Sequence, residues 1–461
     1  MAHRVDPRAL REYDVRGVVG ETLGADDARA IGRSFATRVI RAGGRRVAVG
    51  RDGRTTSAML EAALVEGLTA SGADVVRTGL GPTPMLYHAE GTDGVDAGVQ
   101  VTGSHNPPGH NGFKLVHAHR SVFGEAIREL ARMAEAGDWE EGAGSVADAD
   151  VLGGYVDRLA RRFTGGAFRI AWDCGNGAAG PAVERLAARL PGEHHLLFAE
   201  VDGRFPNHHP DPTVEANLLD LKRVVAERGL DFGVAFDGDG DRIGAVDGAG
   251  RVVWGDQLLA ILAEPVLRAH PGAAIVADVK ASRTVFDRIT ALGGVPVMWK
   301  SGHSLMKAKM HETQAPLGGE MSGHIFFGPA DGGFDDALLA AVRLIGAVDA
   351  SGRSLAELRD ALPQLVSTPE MRLPVDEGAK FAIVDAVLAR LERQGAAVDR
   401  TDGARVTTAD GWWLLRASNT EGALTLRAEA PDRAGLDRLL DEIAAQLTHE
   451  GVSIPRVSIP T

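Results

Sequence analysis

Three carboxylates alternate with glycines in the segment FDGDGDR, residues 236–242. Because glycine lets the backbone turn tightly, Asp237, Asp239 and Asp241 can converge on one point. Carboxylate oxygens at this density are the ligands that Mg²⁺ prefers. A calcium loop of the EF-hand kind needs a glutamate at its twelfth position, where this chain has Gly248. An exposed acidic turn is the other alternative, and we favour metal binding.

A single serine lies in a constrained segment, VTGSHNPPGHNGFK, residues 101–114. The glycines and prolines around Ser104 favour a fixed, exposed loop, and Lys114 can return close to it if FKLV begins the next strand. A surface turn with an incidental serine is the plain alternative. A serine hydrolase is disfavoured because the G-x-S-x-G elbow is missing. Together with a magnesium-type loop, the segment indicates phosphoryl transfer through serine.

Near the C-terminus, RASNTEG (416–422) places polar side chains in a turn after a strand. Arg416, Ser418, Asn419 and Thr420 have the guanidinium, hydroxyl and amide groups that bind phosphate oxygens, and we call these four residues the phosphate clamp. Taken alone the pattern is weak, because polar turn residues after a strand are common.

A third region is rich in groups that could contact a sugar. In GGEMSGH (318–324), Glu320 and Ser322 can hydrogen-bond to hydroxyls, and His324 can exchange a proton near neutral pH. MWKSGHSLMK and VKASR add further donors, and pattern alone does not separate site residues from surface residues among them: Lys300, His303, Lys280 and Arg283.

Strand-like apolar runs alternate with amphipathic helical patterns from about residue 30 to about residue 365, which is typical of α/β layers. Strand–turn–helix units recur in three regions, each followed by an apolar stretch and a loop of glycines and polar residues. The last segment reads as a smaller α+β unit. The sequence therefore predicts four domains, over residues 1–150, 151–252, 253–366 and 367–461.

Composition and charge limit the class of protein. The chain has 461 residues, 44% hydrophobic and 25% charged, which suits a multidomain soluble protein. A net charge of −13 argues against nonspecific binding to nucleic acid but permits a local basic pocket. The single cysteine, Cys174, excludes an internal disulfide. The beginning of the sequence lacks a signal-peptide pattern and no apolar run suits a membrane, so we expect a cytoplasmic protein.

The motifs TGSHNPPGHNGFK, DGDGDR, GGEMSGH and RASNTEG, in this order, resemble those of the α-D-phosphohexomutases, and in particular of the bacterial phosphomannomutase/phosphoglucomutases. REYDVRGVVG, VDGRFPNHHPDP and PVMWKSGHSLMKAKM are also similar to that group. The resemblance covers nearly the whole chain. It implies three similar mixed α/β domains and a C-terminal α+β phosphate-binding domain around a central cleft.

The resemblance also implies an activity. Hexose 1-phosphates and hexose 6-phosphates of mannose and glucose would interconvert reversibly, through a phosphoserine and a hexose 1,6-bisphosphate. It implies Mg²⁺ as cofactor and glucose 1,6-bisphosphate as activator. Sugar phosphates would be the partners of a monomer that binds neither nucleic acid nor membranes.

Residue roles follow from the same resemblance. Ser104 would carry the phosphoryl group and would face the metal together with Asp237, Asp239 and Asp241. Lys114 and His324 would transfer protons, with Arg242 and His303 in the reacting region. The remaining matches would bind the substrate at its sugar or at its nonreacting phosphate: Tyr13, Arg16, Lys280, Arg283, Glu320, Ser322, Arg416, Ser418, Asn419 and Thr420.

Other activities remain open at this point. A phosphoglucosamine mutase or a glucose-only mutase is the nearest alternative. A catalytically silent sugar-phosphate binding protein fits less well with intact Ser104, Lys114 and three aspartates. A magnesium-dependent phosphatase would release inorganic phosphate stoichiometrically, whereas a mutase would release it only slowly.

Overall fold

The computed structural model describes residues 2–92, 94–419 and 422–454. In this part of the chain the strands form four sheets, which follow one another along the sequence. Three sheets mix parallel and antiparallel strands, and the fourth is antiparallel throughout. The predicted fold class, three mixed α/β units followed by an α+β unit, is therefore confirmed. The exact boundaries between the domains stay a prediction.

The first unit has strand order β1-β5-β4-β2-β3-β7, with β6 paired to β5. Its elements are β1 (Val15–Val18), α1 (Ala25–Arg41), β2 (Arg46–Arg51), α2 (Ser57–Ala70), β3 (Asp74–Leu80), α3 (Thr83–Glu90), β4 (Ala97–Val101), β5 (His110–His117), β6 (Arg120–Ser121), α4 (Glu125–Ala136) and β7 (Val146–Asp148). Strand β2 pairs in parallel with β3 and β4, while β4 pairs antiparallel with β5.

The second unit repeats this plan with strand order β12-β11-β10-β8-β9. Its elements are α5 (Val151–Arg161), β8 (Phe168–Asp173), α6 (Gly180–Ala187), β9 (Gly192–Leu197), α7 (Leu219–Arg228), β10 (Phe232–Phe236), β11 (Ile243–Asp247) and β12 (Val252–Val253). All five residues of β10 are buried and mostly apolar, as expected for a central strand covered on both faces.

The third unit has strand order β14-β13-β15-β16. Its elements are α8 (Gly255–Ala269), β13 (Ala274–Asp278), α9 (Arg283–Ala291), β14 (Val295–Trp299), α10 (His303–Thr313), β15 (Leu317–Gly319), β16 (Ile325–Phe327), α11 (Ala337–Ser351) and α12 (Leu355–Asp360). Asp336 caps α11, since its Oδ1 accepts a hydrogen bond from the Leu339 backbone at 2.9 Å. The second and third units share one apolar core, which Met85 of the first unit also joins.

The fourth unit is an antiparallel sheet of order β17-β22-β21-β20-β19, with β18 also paired to β22. Its elements are β17 (Val366–Ser367), β18 (Met371–Pro374), α13 (Lys380–Arg393), β19 (Ala397–Asp399), β20 (Ala404–Thr408), β21 (Gly411–Ala417), β22 (Ala423–Ala430) and α14 (Arg433–Thr448). Trp413 and the apolar faces of both helices form a separate core. No helix in the described residues is long and apolar enough to cross a membrane.

One feature recurs in all four units: a polar loop joins two adjacent antiparallel strands. We name each loop after its serine or after the role that the sequence predicts for it. The serine loop (102–109) joins β4 to β5, the metal loop (237–242) joins β10 to β11, the sugar loop (320–324) joins β15 to β16, and the clamp loop (418–422) joins β21 to β22. Each loop thus starts and ends on strands of one sheet, which anchor its two ends.

Candidate active site

The serine loop presents its hydroxyl to the metal loop. Ser104 Oγ donates a hydrogen bond to Asp237 Oδ2 at 2.8 Å, and His105 Nδ1 lies 3.1 Å from the same hydroxyl. Ser104 has a φ of +48°, a left-handed conformation that is uncommon for residues other than glycine. Its backbone N–H donates to Thr102 Oγ1 at 2.8 Å, which supports the turn. The serine of the first unit and the carboxylates of the second therefore form one site.

The three aspartates of the metal loop are fully buried and close together. One oxygen of each of Asp237, Asp239 and Asp241 lies within 4.8 Å of the others. Burial and the two neighbouring carboxylates raise the pKa of Asp237 well above its usual value. Within the described residues, Asp239 Oδ1 and Asp241 Oδ1 have no hydrogen-bond donor. Buried, unpartnered carboxylate oxygens at this spacing fit a hard divalent cation.

Lys114 supplies part of the positive charge that this cluster needs. It lies on β5, as the FKLV pattern predicted, and its Nζ donates to Asp239 Oδ2 at 2.7 Å and to Asp241 Oδ2. Burial disfavours the ammonium form, but the carboxylates outweigh burial and raise the pKa of Lys114 above its usual value. The Arg242 guanidinium is a second cation beside the three carboxylates, so the unpartnered oxygens of Asp239 and Asp241, rather than a count of charges, point to a bound cation.

His324 lies beside the same carboxylates, at the end of the sugar loop. Arg242 Nε donates to His324 Nε2 at 2.9 Å, so the proton of the neutral ring is on Nδ1. Burial and the Arg242 guanidinium lower the pKa of His324 well below its usual value. The His303 ring lies 5.8 Å from the His324 ring, centroid to centroid. The predicted residues Arg242, His303 and His324 thus form one group next to the metal loop.

Glu320 and Ser322 also point into this space. Ser322 Oγ donates to Glu320 Oε2 at 3.1 Å, and the Gly302 backbone N–H donates to Glu320 Oε1 at 2.5 Å. Burial, followed by the nearby Asp278 carboxylate, raises the pKa of Glu320 to about 7. Both side chains can exchange hydrogen bonds with hydroxyl groups, and neither provides a fixed positive charge.

Three of the four residues predicted as the phosphate clamp lie in the described part of the fourth unit. Arg416 is buried, and its Nε donates to Asp402 Oδ2 at 2.9 Å. Asn419 Nδ2 donates to the Tyr13 hydroxyl at 2.6 Å, and that hydroxyl donates to the Ser301 carbonyl at 2.7 Å. Ser418 is buried at the start of the clamp loop. Thr420, the fourth predicted residue of the clamp, lies outside the described residues.

The three remaining predicted binding residues, Arg16, Lys280 and Arg283, lie in three different environments. Arg16 Nη1 donates to Asn106 Oδ1 in the serine loop at 2.9 Å. Lys280 is buried, and its Nζ donates to Glu370 Oε2 in the fourth unit at 2.9 Å. Arg283 is not brought to the cleft: its side chain is 64% exposed and pairs with Asp287 on the same helix. We therefore leave Arg283 out of the site.

Sequence reasoning missed several carboxylates and one hydroxyl that hold the predicted residues. Asp402 and Glu370 bind the cations Arg416 and Lys280. Thr83 Oγ1 donates to Asp239 Oδ2 at 2.5 Å from the start of α3. None of these residues has a local motif. These residues lie far from the site in sequence, and only the fold brings them close to it in space.

Comparison with known proteins agrees with this arrangement. The four domain descriptions of phosphoglucomutase/phosphomannomutase match in order: the alpha/beta/alpha domains I, II and III match residues 7–141, 153–250 and 254–366, and the C-terminal domain matches residues 370–446. The chain is 42% identical over 447 residues to the phosphomannomutase/phosphoglucomutase of Pseudomonas aeruginosa, a match that covers 97% of this chain and 96% of that protein.

Two further relatives lead to the same family. A phosphoglucomutase of Neisseria gonorrhoeae is 41% identical over 441 residues, which is 95% of this chain and 96% of that protein. A crystal structure of a phosphoglucomutase/phosphomannomutase family protein from Burkholderia thailandensis superposes with a TM-score of 0.90 at 41% identity, over 98% of this chain and 99% of that one. The chain belongs to the phosphoglucomutase/phosphomannomutase family.

Proposed function

We propose that this protein is a hexose phosphate mutase that moves a phosphoryl group between C1 and C6 of mannose and glucose through phosphorylated Ser104. The observation that carries the proposal is the 2.8 Å hydrogen bond between Ser104 Oγ and Asp237, one of three buried carboxylates. A serine beside a candidate metal site, in a cleft lined by cations, is suited to phosphoryl transfer. The names of the relatives support the same reaction.

The reaction has two transfers of opposite direction. In the first, the bond between phosphorus and Ser104 Oγ breaks, a bond forms to the free hydroxyl of a hexose monophosphate, and Ser104 Oγ takes up a proton. The product is a hexose 1,6-bisphosphate. After the bisphosphate turns around, its other phosphoryl group returns to Ser104, whose proton leaves, and the isomeric monophosphate is released. Added glucose 1,6-bisphosphate would phosphorylate Ser104 and so activate the protein.

Asp237, Asp239 and Asp241, with an oxygen of Ser104, would hold Mg²⁺. Asp239 Oδ1 and Asp241 Oδ1, which are buried and accept no hydrogen bond within the described residues, support this assignment. A bound magnesium ion neutralises charge on the phosphoryl oxygens during transfer. Lys114 acts beside it: its ammonium group, held by Asp239 and Asp241, adds a second positive charge close to Ser104.

His324, Lys114, Arg242 and His303 would handle protons and charge at the reacting end. His324 is neutral near pH 7 because burial and Arg242 lower its pKa. It would accept the proton of the attacking sugar hydroxyl on Nε2, after the Arg242 Nε–H that Nε2 now binds turns to a substrate oxygen. Lys114 is protonated and can donate to the departing serine oxygen. Arg242 orients the His324 ring through the 2.9 Å hydrogen bond. His303 packs against that ring.

The phosphate clamp, with Tyr13, Arg16 and Lys280, would hold the phosphate that does not react. Arg416 and Lys280 are buried cations on two different units, and both would contribute positive charge to this phosphate site. Glu320 and Ser322 would contact the sugar hydroxyls. Since both ends of the bisphosphate must reach the same clamp in one cycle, few directional contacts to the sugar are expected. Sugar phosphates are then the only small-molecule partners required, and the protein would act as a monomer.

Turnover with a panel of substrates tests the proposal. Purified protein with Mg²⁺ and a trace of glucose 1,6-bisphosphate should convert mannose 1-phosphate and glucose 1-phosphate to their 6-phosphates at comparable rates, because the sugar contacts are few. Glucosamine 1-phosphate is included because it distinguishes this proposal from a phosphoglucosamine mutase. Coupled assays with separate detection of inorganic phosphate check this. Fast conversion of glucosamine 1-phosphate alone, or stoichiometric phosphate release, would assign a different activity.

Replacing one metal ligand should weaken magnesium binding. For Asp239→Asn we expect the Mg²⁺ concentration that gives half-maximal activity to rise at least about tenfold, because a neutral amide replaces a charged oxygen. Titration of activity against Mg²⁺ measures the change. Asp247→Asn is the matched control, since Asp247 is equally buried on the same unit but caps a turn away from the cleft. An equal Mg²⁺ requirement in both variants would contradict the metal assignment.

The clamp should serve both directions of the reaction. Arg416→Ala should lower kcat/KM by about 10- to 100-fold for 1-phosphates and 6-phosphates alike, since a charge-assisted hydrogen bond to the nonreacting phosphate is lost in either orientation. Initial rates in both directions, with Ser104 confirmed phosphorylated, measure this. Arg438→Ala, at an exposed arginine of the same unit, is the control. A defect confined to one direction would refute a single clamp.

A further inference from the structure

A buried arginine of the first unit lies directly beneath the serine loop. Arg54 follows β2, and its side chain is 0% exposed. Its two terminal nitrogens donate to four backbone carbonyls, of the serine and of residues that follow it, at 2.5–3.0 Å: those of Ser104, Asn106, Pro107 and His110. The remaining nitrogen, Nε, lies 3.3 Å from Asp52 Oδ2. One guanidinium therefore binds the chain from the serine to the start of β5.

The hydrogen bonds of Arg54 stabilise a strained backbone conformation at the serine. Ser104 has a φ of +48°, and a strained residue keeps such a conformation only when its surroundings determine it strongly. Asp52 contributes from the same side, because its Oδ2 accepts hydrogen bonds from Thr102 Oγ1 at 2.8 Å and from the Gly103 backbone at 3.1 Å. Residue 103 must be small, since a Cβ there would lie 2.5 Å from Arg54 Nε.

The same guanidinium also contacts the second unit. The Phe205 ring lies 5.2 Å from Arg54 Cζ, so the cation is placed against an aromatic face. Phe205 belongs to the VDGRFPNHHPDP segment. The metal loop approaches the same carbonyl that Arg54 binds: a Cβ at Gly238 would lie 2.4 Å from Ser104 O. Arg54 thus lies where the serine loop meets the unit that carries the carboxylates.

We propose that Arg54 is a positioning residue that holds Ser104 at its distance from the metal loop; this inference rests on the proposed mutase function. Without Arg54 the serine loop relaxes and the phosphoserine is less well aligned with the sugar hydroxyl. Water then competes: the bond between phosphorus and Ser104 Oγ breaks, a bond to a water oxygen forms, and inorganic phosphate and free serine result. The phosphate clamp, on the fourth unit, still binds the substrate.

The test is Arg54→Met, which keeps an apolar side chain but removes all four hydrogen bonds. We expect kcat to fall by about 10²-fold, the effect of a small misplacement of a reacting group, with KM unchanged. The phosphate released per turnover should rise. Amide hydrogen exchange of residues 102–112, measured without substrate, should be faster than in the wild type.

Arg390→Met is the matched control. Arg390 is a half-buried arginine on α13 that donates to the Gln446 carbonyl at 3.0 Å and pairs with Glu450, away from the cleft. Its loss should lower the melting temperature without changing kcat or the exchange of residues 102–112. Arg54→Lys keeps the charge but cannot reach all four carbonyls, so its kcat should lie between those of the wild type and Arg54→Met.

The outcomes separate the two proposals. A wild-type protein that does not interconvert hexose phosphates defeats the proposed function, whereas the exchange measurement still tests what Arg54 does to the loop. Unchanged exchange, a wild-type kcat in Arg54→Met, or an equal loss of kcat in Arg390→Met would overturn the positioning role. If Arg54→Met does not fold, Arg54→Lys decides: reduced kcat with unchanged KM supports the role, and wild-type kcat overturns it.

Discussion

The arrangement of this protein depends on the burial of three carboxylates beside one serine hydroxyl. Moving charged groups out of water costs several kcal/mol each unless opposite charge compensates them. Lys114 provides one positive charge, and a divalent cation fits the oxygens that no donor in the described residues satisfies. Arg242 belongs to the metal loop itself, whereas Lys114 comes from the first unit and His324, which Arg242 binds, from the third. The site therefore requires groups from several units to meet at one place.

The fold meets that requirement with the same strand–loop–strand arrangement in all four units. In every unit a polar loop connects two antiparallel neighbours of the sheet, so its direction is set by rigid strands. Contacts across the cleft then join the units: Tyr13 bonds to Ser301 and Asn419, and Lys280 bonds to Glu370. The fourth unit has its own apolar core and is joined to the third by many hydrogen bonds, including those from Arg405 to the Val279 and Ala281 carbonyls.

Much of the fold and of the candidate site was predictable from sequence because each of the four loops is a contiguous stretch of the chain. Ser104, the three aspartates and the strand that returns Lys114 lie in contiguous motifs, and the α/β alternation follows from hydrophobic periodicity. Partners distant in sequence were not predictable. Arg54, Glu370 and Asp402 carry no motif, and only the folded chain brings them to their acceptors. The sequence also could not show that the Arg283 side chain points away from the cleft. Arg283 lies at the start of a helix, and its exposure depends on how that helix packs.

The central claim is that Ser104 carries the phosphoryl group that reaches the product. A single-turnover experiment with protein labelled by ³²P-phosphate on serine tests it directly. On mixing with excess unlabelled mannose 1-phosphate or glucose 1-phosphate, the label should pass to hexose bisphosphate and hexose 6-phosphate, with little inorganic phosphate, and peptide mapping should locate the original label on Ser104. Label that stays on the protein while unlabelled 6-phosphate accumulates, or that appears only as inorganic phosphate, would contradict the account.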